Sequence, residues 1–384
     1  MSNSLLYSES YLYKVINKLK IILHELDFGI KIISARQGRK KIVGDESRIR
    51  ILHYMLLNST FLKNWPLSRV KEEDVLGIQS FINSKRYSRL TPVGKKKLNL
   101  IIGIYENAQR CNHFLPQIDK EITKLAEISS NESESNIYLK HLERGVKKNN
   151  ELNYEAIHLS FVVNYFIQNL RSELEKEKIG NMMSKVHSNE IVFICKKILK
   201  ELKKEFYLSL KVYNILLYNL VNTLVMVEHF GLHLFYEEPD KDSKNYYSEL
   251  HQYVIRIVEN IIIEKKNFSY YEYLKEKFTE VISGYLLFEE AKVLKIYIEF
   301  FYHPGHKQIV ENTIIHTYST KMVKVTEDFI EADIIISDTQ FENNKKQFYF
   351  ENIHNEESWK KLSVFFYEAI ERNILNFNKS SSNN

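Results

Sequence analysis

Lys14, Lys18, Arg36, Arg39, Lys40 and Lys41 are the residues whose type and crowding most clearly imply a chemistry, because clustered cationic side chains neutralise phosphates. The first 50 of the 384 residues hold ten Lys and Arg against five Asp and Glu, whereas the rest of the chain balances at 44 against 44. The net charge of +5 is therefore local. A basic excess confined to one end of a neutral body points to a polyanionic partner. Ser10, Tyr11 and Asn17 stand among these cations and add hydroxyl and amide groups of the kind that bond to base edges in a DNA groove. On charge alone, a solvated basic helix beside an ordinary hairpin explains the same pattern equally well.

Elsewhere the reactive residue types lack the spacing of a site. His229 and His233 stand four apart, which suits zinc on one helix face, but no third ligand is near in sequence and the pair reads as a helix end. The two cysteines, Cys111 and Cys195, are too few for a disulfide framework and too far apart for a metal pair, which fits a reducing compartment. Pro304-Gly305, within Tyr302-His-Pro-Gly-His-Lys307, can offer free backbone amides to an anion, although a turn that starts a helix is the plainer reading. Gly-rich phosphate loops, a Gly-x-Ser-x-Gly elbow and a His-Glu-x-x-His motif are all missing from the sequence. The expectation is no catalytic site, no metal and no cofactor.

The cations need elements to hold them. Leu12, Val15, Ile16, Leu19, Ile22, Leu23 and Leu26 recur three and four apart, with Lys14, Asn17, Lys18 and Glu25 between them, which predicts an amphipathic helix. Ser8 or Ser10 can cap its start, and Gly29 can supply the positive φ that closes it. Gln37-Gly38 then reads as the turn of a two-stranded wing whose tip carries Arg36, Arg39, Lys40 and Lys41. Helix, turn and wing together make Ser10, Tyr11, Lys14, Asn17, Lys18, Arg36, Arg39, Lys40 and Lys41 the candidate DNA contacts.

With 44% hydrophobic residues, 11 Gly and 5 Pro, the remaining chain suits packed cores and long helices joined by short connections. Pro66, Pro92 and Pro116 punctuate a first helical block after a Trp65-Pro66 entry, continuing through 97–105 and 120–128. Ser129–Asn136 is the most loop-like internal stretch, and helices are expected again over 138–148 and 153–177, with Ile157, Phe161, Tyr165 and Leu170 packed. A second helical block runs to about Glu290, with Glu237–Lys244 as its exposed loop and 208–234 as a buried bundle helix. No signal peptide opens the chain and no apolar run is expected to span a membrane. Beyond residue 290 strands over 293–301, 322–326, 333–337 and 347–350 alternate with helices over 305–318 and 356–375, which predicts a small α/β domain with a mainly parallel sheet. Residues 376–384 read as a polar, disordered tail.

The segment Ile42-Val-Gly-Asp-Glu-Ser-Arg-Ile-Arg-Ile-Leu-His-Tyr-Met-Leu56, following a wing, resembles the second helix-turn-helix of the Mga/AtxA family of Gram-positive virulence regulators, and Tyr7-Ser-Glu-Ser-Tyr-Leu-Tyr-Lys14 matches the start of that family's recognition helix. The resemblance runs through most of the chain on motifs of moderate specificity. It implies winged helices, two helical phosphotransferase-regulation domains and a C-terminal domain similar to sugar-transporter IIB subunits. Relatives carry a full first winged helix and further scaffold helices before the point where Met1 stands, so the expectation is a shortened or reduced N-terminus. The loop at 302–307 lacks the phospho-accepting cysteine of a working IIB subunit. Lys96 stands where some relatives carry a regulatory histidine, and Gly284–Glu289 has none, leaving His113, His141, His158, His229, His233 and His251 as the histidines in reach of that role.

The sequence thus predicts a predominantly α protein: a partial winged helix-turn-helix over 1–60, helical regulatory domains over 61–177 and 178–290, a IIB-like α/β domain over 291–378 and a tail over 379–384. The expected role is a cytoplasmic, non-enzymatic regulator that binds double-stranded promoter DNA as a homodimer, mainly through 291–378. A second reading is a shortened paralogue that pairs with a full-length family regulator. A third is an orphan regulatory subunit that meets a phosphotransferase-system protein.

Overall fold

The computed structural model describes residues 8–25, 29–35, 40–60, 65–79, 84–130, 150–236, 249–289, 293–320, 322–340 and 345–381. Helix α1 spans Glu9–Glu25. Ser8 rather than Ser10 caps it, its Oγ accepting from the Tyr11 amide at 3.2 Å. Gly29 takes φ 64° as the chain leaves the helix, and strands β1 (Ile30–Ser34) and β2 (Lys40–Gly44) form the antiparallel wing, Ile32 opposite Ile42. Helix α2 spans Glu46–Thr60, and Asp45 starts it by accepting from the amides of Ser47 and Arg48. Leu23, Ile30 and Ile49 bury their side chains together, with Ile32, Leu52, Leu234 and Phe235 packed around them.

The chain divides into two compact units. The first comprises Met1–Lys196, Leu217–Pro239 and Glu264–Leu274. It contains α3 (Glu72–Gln79), α4 (Ser84–Arg89), α5 (Pro92–Arg110), α6 (Lys120–Ser130), α7 (Asn150–Phe166) and α8 (Glu173–Ser184). Thr91 caps α5 through the Gly94 amide, with Pro92 in the first turn where it needs no donor. The single helix expected over 153–177 is two helices. It stops at Phe166, passes a short 3-10 turn, and restarts at Ser172, whose side chain and Glu175 form a reciprocal capping box. Ile157, Phe161 and Leu170 are buried as expected, and Tyr165 is half-buried. Residues 131–149, which include the rest of the polar stretch, the 138–148 helix and His141, lie outside the described residues, as does 237–248.

Helix α9 spans Glu190–Glu205 and α10 spans Leu210–Leu224. The long helix expected to reach Leu234 instead loosens into a π turn at Val225–His229, reverses at Gly231 and ends in the 3-10 turn Leu232–Phe235. Contrary to the expectation of no membrane-length run, residues 210–229 are long and apolar enough to cross a membrane, but 78% of that window is buried inside the protein, as a bundle helix requires.

The second unit comprises Lys197–Leu216, Asp240–Ile263 and Lys275–Asn384. Helices α11 (Glu249–Ile262) and α12 (Tyr271–Glu289) precede the α/β part. There β3 (Leu294–Glu299), β4 (Val323–Thr326), β5 (Ile334–Ser337) and β6 (Lys346–Tyr349) pair in the order β4-β3-β5-β6, every neighbour parallel. Ile334, Ile335 and Ile336 are all buried, so β5 is covered on both faces, which is why it reads as a continuous apolar run. Helix α13 (Pro304–Thr317) packs on β3 and β4, while α14 (Glu356–Ser381) packs on β3 and on α11. The closing helix therefore continues to Ser381 where a disordered tail is expected from Asn376.

Candidate nucleic-acid interface

Helix α1 buries Leu23 and half-buries Leu12 and Ile16, so the opposite side faces solvent. Ser10, Lys14, Asn17 and Lys18 occupy that side at i, i+4, i+7 and i+8, with Tyr11 at its edge. Ser10, Tyr11, Lys14 and Lys18 are exposed, and Asn17 is half-buried. On β2, Lys41 is exposed, while Lys40 is half-buried and donates to Ser34 Oγ at 2.8 Å across the wing. Arg36 and Arg39, at the expected tip, lie outside the described residues. Lys31 is a cation not included among the candidate contacts: it is exposed and shares a wing face with Lys41, since both residues sit one register step from the Ile32–Ile42 pair. Its signal was charge alternating with apolar residues in β1.

What holds this head is a buried ionic cluster. Arg50 of α2 and Glu155 of α7 are 2% and 0% exposed and pair through both guanidinium amines, one of them at 2.8 Å. The guanidinium also donates to the His113 carbonyl at 3.0 Å and to Glu46 at 3.1 Å, and it lies 4.6 Å over the Tyr105 ring. Glu155 accepts in addition from the Leu115 amide at 2.8 Å. Burial alone lowers the Arg50 pKa, but the hydrogen bond and charge of Glu155 reverse this and raise it, so the guanidinium stays ionised. Tyr105 hydrogen-bonds His158 Nδ1, and complete burial holds that imidazole well below its ordinary pKa, hence neutral. The helix behind the wing is thereby tied to α5 and α7 through charge as well as apolar contact.

Among the other residues singled out by sequence, His158 and His233 have hydrogen-bonded places in the fold. His233 uses both ring nitrogens, towards the Val227 carbonyl at 3.1 Å and Ser269 Oγ at 3.2 Å. His158 is fully buried, His251 is buried, His113 and His233 are half-buried, and His229 is exposed. Cys111 and Cys195 are free thiols, and burial pushes the Cys195 thiol far up. At the end of β3 the backbone amides of Phe301, Tyr302 and His303 do point inward together, but the Asp338 carboxylate occupies them at 2.8, 3.0 and 3.2 Å. Burial pushes that carboxyl up, and the three amides outweigh it and leave its pKa below the usual aspartate value. Asp338 thus takes the three amides just ahead of Pro304-Gly305, and the His306 amide turns back to the His303 carbonyl.

No curated protein matches this chain. Residues 1–57 match the family model of the Mga helix-turn-helix domain, a stretch that takes in α1, the wing and most of α2. The cationic helix and its wing therefore lie within a Mga helix-turn-helix domain, the domain of a family of DNA-binding regulators.

Proposed function

We propose that the protein is a cytoplasmic transcriptional regulator that binds double-stranded promoter DNA as a homodimer and catalyses no reaction. The observation that carries this reading is the solvent-facing row of Ser10, Lys14, Asn17 and Lys18 on α1, beside a wing bearing Lys40 and Lys41, within a Mga helix-turn-helix domain. In this reading the start of α1 enters the major groove, and the wing, with Arg36 and Arg39, contacts the backbone. Residues 61–177 and 178–290 act as regulatory helical domains, and 291–378 is a IIB-like domain that has kept its sheet and serves association. The all-parallel order β4-β3-β5-β6 and the loop without cysteine support that last assignment.

The test is a salt titration. Replacing Lys14, Lys18, Arg39 and Lys40 by Ala should remove about three to four units from the slope of log affinity against log salt. Fluorescence anisotropy on AT-rich duplexes measures it, with circular dichroism as the folding control. An unchanged slope rejects these side chains as the phosphate contacts.

A further inference from the structure

The turn between β4 and β5 holds an isoleucine out into solvent. Ile330 is 83% exposed, and Phe329 beside it is exposed as well. Lys345 Nζ donates to the carbonyls of Phe329, Ile330 and Ala332 at 2.7, 2.6 and 2.7 Å, the Ile330 amide donates to Asp328 Oδ1 at 2.8 Å, and Lys295 pairs with Glu331 at 2.6 Å. An apolar side chain displayed on a backbone already fixed by such bonds loses little freedom when a partner covers it. Glu327 and Asp328 are exposed and form no ion pair among the described residues.

A second patch has the same make-up with the opposite sign. Where α9 passes into α10, Tyr207 and Leu210 are each 68% exposed, while Phe206 and Leu208 are buried. Ser209 caps α10, its Oγ accepting from the Val212 amide at 3.2 Å, so this connection is fixed too. Lys197, Lys200 and Lys204 stand at i, i+3 and i+7, within about 60° of one another around α9. Lys203 and Lys211 flank the connection, and all five lysines are exposed. The acids among them are Glu201, which takes Lys204 at 2.6 Å, and Glu205, which accepts from Tyr253 Oη at 2.6 Å. Five cations against two anions leave the patch basic. Both patches belong to the second unit.

We propose that these two patches dock on each other between two copies of the chain. The Phe329–Ile330 turn of one copy sits against Tyr207 and Leu210 of another, and Glu327 and Asp328 lie among the lysines. Charge selects this pairing, because the acidic turn repels a second acidic turn and the lysine patch repels a second lysine patch, whereas each complements the other in both sign and apolar centre. A nucleic acid would satisfy the lysines alone, since phosphates offer Tyr207 and Leu210 nothing. The two surfaces differ, so the contact can add copies to a dimer already closed elsewhere. It is independent of DNA binding and of any pairing of two 291–378 domains. Few side chains take part, so the contact is weak by itself and is best detected by trapping.

Zero-length carbodiimide cross-linking of the unaltered full chain, without DNA, tests it. Isotopically light and heavy copies are mixed, so that mass tells a link between copies from one within a copy. The Lys295–Glu331 ion pair supplies the same-copy control. Mixed-isotope amide links are expected from Glu327 or Asp328 to one of the five lysines. Ile330→Ser should lower their yield about tenfold, the effect of losing one buried isoleucine. Ile309→Ser, at an exposed isoleucine of α13 outside the turn, should leave the yield unchanged. Both positions are exposed, so neither change threatens the fold. The proposal is overturned if the control link forms while no mixed-isotope link joins the two patches, or if Ile330→Ser and Ile309→Ser act alike.

Discussion

At the scale of single residues, Arg50 and Glu155 matter more than their place far from the cationic face suggests. Two fully buried charges are tolerated because each closes several hydrogen bonds, and removing one partner strands the other in a medium that cannot solvate it. Glu155→Gln should therefore cost about 3–5 kcal/mol of stability in the first unit. Arg50→Met combined with Glu155→Met should recover most of that loss, because neither charge then remains buried. Urea unfolding of the three forms distinguishes the cases, and a loss below about 1 kcal/mol for Glu155→Gln would mean that water reaches the cluster. Lys14 and Lys18 behave oppositely, since they are solvated and contribute little to folding, so their removal should appear in binding alone.

At the scale of elements, the wing depends on how β2 hands over to α2. Gly44 has φ 149°, and a Cβ there would overlap the Gly29 carbonyl and stand 2.9 Å from Ile30 Cα. Both the backbone conformation and the close approach to β1 demand glycine. Gly44→Ala should cost about 2 kcal/mol or more and flatten DNA binding together with the near-ultraviolet signal of the first unit, because the register Ile30 to Gly44 is the last step before α2. Thermal melting followed by anisotropy checks it. A variant of wild-type stability would show that β1 yields at that point. The break between α7 and α8 teaches the same lesson from the other side. Leu170 is buried although it stands nine positions after Phe161, half a turn out of phase on a continuous helix, and Ser172 and Glu175 provide a start signal strong enough to begin a new helix.

At the scale of the whole molecule, a two-fold DNA site calls for a two-fold protein. Of the aromatic residues in the α/β part, Phe300 and Phe366 are core, the Phe365 ring meets Phe348 at a tilt, and the Trp359 indole donates to the Ile353 carbonyl. The exposed apolar groups of this part include Phe301, Tyr302, Val364 and Tyr367, together with Ile309, Ile315, Ile330 and Tyr349. Deleting the domain would also strip α14 from α11, so substitution is the cleaner probe. Val364→Glu with Tyr367→Glu should convert the chain to a monomer in light scattering at micromolar concentration while leaving its helical content intact. A dimer that persists places the main interface in the helical blocks.

Periodicity and punctuation in the sequence were enough to define α1, the wing, α2 and the alternation of strands and helices after residue 290. In each case the period, the cap or the turn residue acts within a few positions, so local pattern is sufficient. The cationic face was legible for the same reason, because the side chains at i, i+4, i+7 and i+8 share a side of any helix. Contacts between distant segments were not. Nothing near Arg50 announces Glu155, 105 positions later, and nothing near Tyr302 announces Asp338 as the carboxylate that fills its amides. Tertiary structure alone decided that α2 is anchored by a buried charge and that the amides at the end of β3 are taken by Asp338. Those outcomes depend on which surfaces meet when the chain closes, and a burial pattern written in sequence records that a side chain is apolar without recording what covers it.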